Sequence, residues 1–490
     1  MLKILLGIGA PQALAVLVNF ARTKVAAVLV GPEGIGVISI IDQTIQFVAN
    51  LCTLNFSRST VKFLSKAHSE GGDAFCDGYA VVLKALLVLG TVGALVTTSL
   101  VLFRIDLLPA VIAPYKILLL VGLLGIPGMA LASFIPNALA AAQYSSGSAR
   151  LTALTGLVMA LASTFGLLAG GILGFYVATV LIVTVWAIVV VEYLRRVMGW
   201  SITQCAVGIA AGFRRLGNVV SFSILFYAAA FTYQGAFLIT RYSVLENLGE
   251  AGAGLLHAGM SVALLMNMVL MPLTELFFTP RVTRVGPKEE KFQVAMEFLK
   301  QLTMIVTIFS LPAILFPHLV LDLAFSTKFL GAAQYMFVFM LWQSFALLSG
   351  VCQALLIGLD DMISYTAITC SGNVLAACSA VVLVPHYGGI GAAVGFVIAS
   401  SLVLLGTFVR LKLWHGFALP RNLVFLMGYS LLVTLVLGSI FRHYGAWHGS
   451  TLLAKAAAAL ATVIGLLLFL SRNDKLALVS FFQKVRSGPW

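Results

Sequence analysis

The stretch ILGFYVATVLIVTVWAIVVVEY, residues 172–193, contains a single charged residue, Glu192, which stands next to its end. About 20 predominantly apolar residues in a helix cross the ~30 Å hydrocarbon core of a bilayer. Backbone amides and carbonyls in lipid must be satisfied within the segment, so a single run of this length crosses as a helix. The stretch therefore predicts a transmembrane helix.

Thirteen more apolar runs of spanning length lie on either side of this stretch. They cover residues 4–30, 36–54, 79–103, 117–142, 151–170, 219–240, 252–277, 302–321, 332–357, 362–384, 390–409, 423–441 and 451–470. The first run follows Lys3 as a signal peptide would, but it is longer than a signal-peptide core, and we expect an uncleaved span. The sequence thus predicts an all-α polytopic membrane protein with about 14 transmembrane helices.

The composition agrees with a membrane protein. Of 490 residues, 61% are hydrophobic and 10% are charged, whereas an ordinary soluble domain is about half apolar and a quarter charged. These proportions argue against a soluble enzyme, a secreted disulfide scaffold and a disordered regulator. The six cysteines form no Cys-x-x-Cys pair and no set spaced with histidines, so we expect packing residues, no metal site and no cofactor.

The net charge of +13 has two interpretations: the protein binds nucleic acid, or the basic residues lie in cytoplasmic loops and set the membrane topology. In an alternating topology, most of the 30 basic residues fall in loops on the side that holds the N-terminus. The opposite loops hold only Arg104, Lys116, Arg241, Lys328 and Arg442. Basic residues mark the cytoplasmic side of a membrane protein. We therefore expect both termini in the cytoplasm and no nucleic-acid partner.

An internal repeat is visible in the glycines. The segment GPEGIG at residues 31–36 aligns with GEAGAG at residues 249–254, and weaker similarities pair 137–139 with 353–355 and 170–172 with 388–390. In all three pairs the two segments are separated by 216 to 218 residues, a stretch that contains six of the predicted helices. Because this number is even, the repeat is parallel, with an expected axis along the membrane normal. Chance recurrence among 45 glycines is the alternative.

The repeat predicts the domain organisation. We expect an N-terminal six-helix lobe over 1–200, a cytoplasmic interfacial linker over 201–218, a second six-helix lobe over 219–412, and two additional helices with a cytoplasmic tail over 413–490. Within the linker, apolar residues recur at helical spacing over 201–215. This spacing favours a short helix in the membrane interface, with a solvated linker as the equal alternative.

Two motifs carry a family resemblance. The segment KVAAVLVGPEGIG at 24–36 and the segment YGGIGAA at 387–393 resemble the polysaccharide-transporter branch, with its Wzx-type oligosaccharide flippases, of the multidrug/oligosaccharidyl-lipid/polysaccharide exporter superfamily. The resemblance implies two six-helix lobes around a central cavity in the bacterial cytoplasmic (inner) membrane. It also implies a lipid-linked oligosaccharide substrate on undecaprenyl diphosphate, with a polysaccharide polymerase and export proteins as possible partners. Lipid II flippases are relatives that rank lower, because their first helix typically carries an Arg-Asp pair where residues 21–24 read ARTK.

Polar stripes mark three of the predicted spans. The first places Gln12, Asn19 and Arg22 on one face, and the seventh repeats Tyr227, Gln234 and Arg241 every seven residues. The second carries five polar residues that lie largely on one face: Ser39, Asp42, Gln43, Gln46 and Asn50. Charges in mid-membrane are costly, so those that are tolerated usually face a cavity or a partner. We expect these stripes to share an aqueous cavity, while bonding between helices is the alternative.

The candidate substrate-binding residues follow from these stripes. Arg22, Lys24 and Arg241 are expected to attract the diphosphate, since a planar guanidinium makes paired hydrogen bonds to phosphate. The amides of Asn19, Gln46 and Gln234 are expected to contact sugars. Alternatively, Arg22 or Lys24 extends to the outer headgroups or pairs with an acid.

Two acidic positions have competing interpretations. Asp42 either binds a coupling ion or forms a salt bridge with Arg22 or Lys24. Asp360 and Asp361 form a predicted cytoplasmic turn without a base, which we expect to be solvated. His257 is expected to be a hydrogen-bonded helix residue rather than a proton relay.

The predicted function is flipping by alternating access, with no catalysis. The rivals are a drug or cation antiporter of the same superfamily and a membrane glycosyltransferase or polymerase. An enzyme needs convergent catalytic groups, yet the longest outward loop, 104–116, holds one acid, Asp106, and the sequence has no nucleophile, metal or nucleotide motif.

Overall fold

A computed structural model of the chain shows helices joined by short turns in the part that it describes. The described residues are 2–54, 64–65, 67–68, 71–104, 109–142, 144–197, 209–274, 278–284, 286–441 and 449–469. The helices are α1 (Leu2–Thr53), α2 (Gly72–Phe103), α3 (Lys116–Leu124), α4 (Ile126–Ala141), α5 (Ser145–Val197), α6 (Ile209–Leu273), α7 (Thr279–Arg284), α8 (Lys288–Leu315), α9 (Pro317–Ala324), α10 (Ala333–Gly358), α11 (Met362–His415), α12 (Arg421–Phe441) and α13 (Gly449–Leu468). The all-α prediction is confirmed.

Four helices are too long for a single crossing, and each is broken at glycine. The 52 residues of α1 would extend about 78 Å at 1.5 Å per residue, against a hydrocarbon core of ~30 Å. Breaks at Gly31 in α1, Gly170–Gly171 in α5, Gly249 in α6 and Gly388 in α11 divide these helices into two spans each. The four breaks give eight crossing segments.

Within the described ranges, the other long helices bring the number of membrane-crossing segments to the fourteen that the sequence predicts. Nine helices among the described residues are long and apolar enough to cross a membrane, and one further bent pair, Ala113–Leu124 with Ile126–Ala141, turns by 47°. Since four of the nine are double spans, the described part of the chain holds fourteen crossing segments. The protein is a multi-pass membrane protein with the predicted helix count.

The breaks repeat with the predicted spacing. Gly31 has φ 68°, ψ −171° and Gly249 has φ 69°, ψ −173°, while Gly171 has φ 60°, ψ −149° and Gly388 has φ 59°, ψ −142°. Only glycine adopts this backbone region readily. The equivalent of Gly388 is thus Gly171, so the predicted pairing of Gly170 with Gly388 is shifted by one position. Matched backbone geometry favours a true repeat over chance recurrence.

The two repeated turns also touch each other, and they do so reciprocally. A Cβ on Gly36 would overlap the carbonyl of Glu250, and a Cβ on Gly254 would overlap the carbonyl of Pro32. Gly36 and Gly254 are equivalent in the repeat, as are Pro32 and Glu250. The contact is therefore the same in both directions, as across a two-fold axis.

The chain divides into two compact units. The first unit comprises Met1–Ala258, Leu323–Phe329 and Met362–Gly395, and the second comprises Gly259–Asp322, Leu330–Asp361 and Phe396–Trp490. In the first unit, the rings of Tyr79 and Phe134 stack at 5.4 Å within a buried apolar cluster between α2, α4 and α5. The predicted lobes and linker stay a prediction, and residues 201–208 of that linker lie outside the described residues.

In the second unit, one acidic residue differs from the expectation. Asp361 is not solvated: its carboxylate accepts hydrogen bonds from Arg410 Nε at 2.7 Å and His415 Nε2 at 3.0 Å. Its side chain is 11% exposed. Asp360 takes a φ of 60°, which turns the chain at the start of α11. The expectation was wrong because Asp361, which directly precedes α11, pairs with residues at the far end of that helix.

Candidate functional site

A carboxylate is held in place near the middle of the second span of α1. Asp42 Oδ1 accepts a hydrogen bond of 2.9 Å from the hydroxyl of Tyr176, which lies on α5 and is 2% exposed. The same hydroxyl lies 3.1 Å from the carbonyl of Ile38, one turn before Asp42. A tyrosine hydroxyl has a single proton to share between these two acceptors. Tyr176 therefore orients the carboxylate while remaining anchored to the helix that carries it.

Two arginines from different helices are near this carboxylate. Asp42 interacts electrostatically with Arg22, on the first span of α1, and with Arg241, on the first span of α6. The guanidinium of Arg22 also lies over the ring of Phe175 at 5.1 Å, a cation–π contact. Two cations and one anion leave a net positive charge at the site. The structure thus brings together three of the predicted residues, Arg22, Asp42 and Arg241.

Arg241 is the most deeply buried of the predicted charges. It is 6% exposed, and its Nη1 donates to His257 Nδ1 at 3.3 Å. Because a guanidinium only donates, Nδ1 must accept, so we assign the imidazole proton to Nε2. Arg241 Nε is buried without a hydrogen-bond partner among the described residues. Most buried donors in native structures have a partner, so this unpaired donor calls for an explanation.

Gln234 forms a side-chain hydrogen bond to a neighbouring helix. Its side-chain carbonyl accepts a hydrogen bond of 2.5 Å from Gln43 Nε2. Nearby, the hydroxyls of Thr44 and Tyr242 lie 3.0 Å apart. These bonds join the second span of α1 to the first span of α6. Gln234 therefore takes part in bonding between helices, which is the alternative interpretation of a polar stripe.

The remaining predicted residues lie on α1. Asn19 and Lys24 are half-buried near Arg22, and the backbone carbonyl of Asn19 accepts a hydrogen bond from Thr23. The side chain of Gln12 lies outside the described part of the structure. Gln46 lines a cavity of about 230 Å³. The other lining residues are Ala49, Asn50 and Thr53 on α1, Leu86 on α2, and Met129, Ala130 and Ser133 on α4.

The sequence did not predict the roles of two residues of the site, Tyr176 and His257. Tyr176 received no role, although it is a polar aromatic residue in an aliphatic span, directly after Phe175. His257 is hydrogen-bonded as expected, but its partner is the guanidinium of Arg241. Among the described residues, no group of three or more His, Cys, Asp and Glu side chains is arranged to hold a metal ion.

Comparisons with known proteins define the fold. No family model matches the chain, and no curated protein matches it. The solved structure of the lipid II flippase MurJ in an inward closed conformation is 12% identical, with a TM-score of 0.67, over 94% of this chain and 97% of that one.

Two other solved structures are similar. An inward-facing multidrug resistance MATE family transporter of the MOP superfamily is 15% identical, with a TM-score of 0.61, over 81% of this chain and 94% of that one. A MOP superfamily transporter from Pyrococcus furiosus is 14% identical, with a TM-score of 0.58, over 83% and 94%. At these identities the likeness shows the fold alone. The chain has the fold of the MOP superfamily transporters.

Proposed function

We propose that this protein is a flippase that moves an oligosaccharide linked to undecaprenyl diphosphate from the inner to the outer leaflet of the bacterial cytoplasmic membrane. The observation that carries the proposal is the placement of Arg22 and Arg241 near Asp42 in membrane-spanning helices. Charges are retained inside a membrane protein mainly where a substrate, an ion or a partner needs them. A diphosphate suits a site with excess positive charge.

Each charged residue has a defined role in this proposal. Arg241 Nε offers a buried donor that a phosphate oxygen satisfies, and Arg22 supplies a second guanidinium. Charge-assisted bonds from guanidinium groups to phosphate are often bidentate, which fixes orientation as well as charge. Lys24, which follows Arg22 by two residues on the first span of α1, adds a further positive charge that attracts the diphosphate. Asp42 is the candidate for a coupling ion, because a phosphate that neutralises the nearby Arg22 and Arg241 leaves its carboxylate in need of a cation.

Alternating access is supported by the repeat. The reciprocal contact of Gly36 and Gly254 joins the turns of the two copies, at the end that we assign to the outer face from the positive-inside rule. Transporters built from internal repeats are expected to move by rocking of two similar lobes. In this protein, separation of the two turns would open the path to the outer leaflet. Both termini then lie in the cytoplasm, and a polymerase and export proteins act downstream.

The second candidate is a drug or cation antiporter, which the likeness to MATE transporters favours. A cationic drug would meet two guanidinium groups and a single carboxylate at Asp42, so electrostatics oppose it. A glycosyltransferase or polymerase is disfavoured because the similar solved structures are transporters and flippases.

The test is leaflet exchange in sealed vesicles that contain the purified protein and an oligosaccharide on polyprenyl diphosphate. A membrane-impermeant lectin reports the sugar that reaches the outside. We expect the double variant Arg22→Ala, Arg241→Ala to lose more than tenfold in initial rate, because phosphate loses both charge-assisted partners. The control is Arg196→Ala, a guanidinium that is 75% exposed at the end of α5. Transport by the double variant at the control's rate would contradict the flippase proposal.

A further inference from the structure

The cavity beside Gln46 begins one helical turn from the charged cluster. Asp42, Gln46 and Asn50 are spaced four residues apart, so they share one face of α1. With a rise of 1.5 Å per residue, Gln46 and Asn50 follow Asp42 by about 6 and 12 Å along the helix axis. A group attached directly to a diphosphate at Asp42 would therefore reach this cavity.

The polar groups of the cavity suit a hydroxyl-rich ligand. The amides of Gln46 and Asn50 have no hydrogen-bond partner within the described part of the chain, and each amide both donates and accepts. The hydroxyls of Thr53 and Ser133 donate to the carbonyls of Ala49 and Ala130 in their own helices. Those hydroxyls therefore present lone pairs to a ligand. Sugar hydroxyl groups, which donate and accept, match both kinds of partner.

The charge of the lining excludes other ligand classes. None of the eight described residues that line the cavity is charged. An anion would lack a cationic partner there, and a cation would lack a carboxylate, so a charged ligand would be desolvated without compensation. The lining therefore favours a neutral ligand.

The walls of the cavity are apolar and closely packed. Leu86, Met129 and Ala130 supply nonpolar surface, which suits the nonpolar faces of a sugar ring. Behind them, α2 and α4 are so close that a Cβ on Gly90 would lie 3.2 Å from the Cα of Pro127. A volume of about 230 Å³ is below the roughly 300–1,000 Å³ of sites for drug-sized ligands. The cavity is thus a preformed site for a small group.

We infer that this cavity is a saccharide subsite, which binds the neutral sugar nearest the diphosphate while the lipid remains in the membrane. The inference rests on the proposed function, because the diphosphate at Arg22 and Arg241 places the sugar. The two sites have separate chemistry: guanidinium groups bind phosphate, and amides and hydroxyls bind sugar.

The test compares two probes in nanodiscs, polyprenyl diphosphate and the same lipid carrying one N-acetylhexosamine. The unmodified protein should bind the glycosylated probe about tenfold more tightly, as expected for two or so neutral hydrogen bonds. The double variant Gln46→Leu, Asn50→Leu should bind both probes with the affinity of the bare lipid. Ala130→Leu, which fills the cavity without removing a polar group, should have the same effect.

The control is Asn137→Leu, one turn beyond Ser133 on α4, where the amide bonds within its own helix. It should keep the tenfold difference between the probes. Equal binding of both probes by the unmodified protein, or a full difference in the double variant, would overturn the subsite while leaving the diphosphate site intact. Conversely, unchanged binding of both probes by Arg22→Ala, Arg241→Ala would overturn the diphosphate site alone. If the unmodified protein binds neither probe, both proposals fail.

Discussion

The two copies of the repeat share their backbone breaks but differ in the side chains that follow them. When Gly31 is aligned with Gly249, the polar face of Asp42, Gln46 and Asn50 corresponds to Met260, Leu264 and Met268. Arg241 of the second copy corresponds to Thr23 of the first. The backbone breaks are thus present in both copies of the repeat. The polar side chains of the site lie mainly on the helix α1 of the first copy, and the second copy contributes Arg241.

The difference has a physical basis. A backbone that combines a positive φ with an extended ψ is essentially open to glycine alone, so both copies need glycine at the break. A helix face in a membrane protein accepts either apolar or polar residues, provided that the polar groups find partners or water. Backbone positions are therefore the rigid part of the repeat, and face positions are free to specialise.

The largest effect should come from the reciprocal contact. Gly36→Ala or Gly254→Ala forces a Cβ into the backbone of the opposite turn, and overpacking of this kind costs about 3 kcal/mol. Thermal unfolding in detergent should show a similar loss of stability for both variants, since the contact is the same in both directions.

Gly156→Ala on α5 is the matched control, because a Cβ there meets nothing within 4 Å. It should leave stability unchanged or raise it by up to about 1 kcal/mol, the helix-propensity gain of alanine over glycine. If Gly36→Ala is as stable as this control, the turns do not pack as described.

The breaks themselves should give an intermediate effect that is equal in both copies. Gly31→Ala and Gly249→Ala place a side chain at a φ of 68° and 69°, respectively, at a cost of about 2 kcal/mol each. A Cβ at Gly249 meets nothing within 4 Å, so the cost is conformational rather than steric. Unfolding midpoints that differ strongly between the two variants would contradict the equivalence of the breaks.

The smallest effect concerns the polar face. Tyr176→Phe removes the hydroxyl that donates to Asp42, and a hydrogen bond to a charged group contributes about 1.5–3 kcal/mol, less when water replaces the donor. We expect a roughly fivefold lower rate of leaflet exchange, equivalent to about 1 kcal/mol. Tyr193→Phe, on an exposed side chain of the same helix, should match the unmodified protein. Equal rates for both variants would mean that Tyr176 does not position the carboxylate.

The architecture was largely predictable because hydropathy and glycine spacing report on it directly. Apolar runs of spanning length indicated the helix count, and GPEGIG with GEAGAG indicated the repeat. The register error at Gly170–Gly171 arose because two adjacent glycines offer two alignments with Gly388. Only the backbone φ, which is positive at Gly171 and Gly388, distinguishes them.

The site was less predictable because partners come from distant helices. Arg22, Asp42 and Arg241 could be found, since charge in an apolar span is conspicuous. Tyr176 could not, because one tyrosine among aliphatic residues is compatible with lipid or with packing. The pairing of Asp361 with Arg410 was equally hidden, because the two residues are separated by most of α11.

The hairpins that turn at a single glycine also affect how the chain can be tagged. At the first such turn, Gly31 and Pro32 are buried and Gly36 is in contact with the opposite turn, so an inserted epitope there would disrupt packing instead of reporting a side of the membrane. Gly286 and Pro287, exposed between α7 and α8, offer a better insertion point. Accessibility of a tag at this position to antibody in spheroplasts, before and after permeabilisation of the cytoplasmic membrane, measures the orientation of the chain.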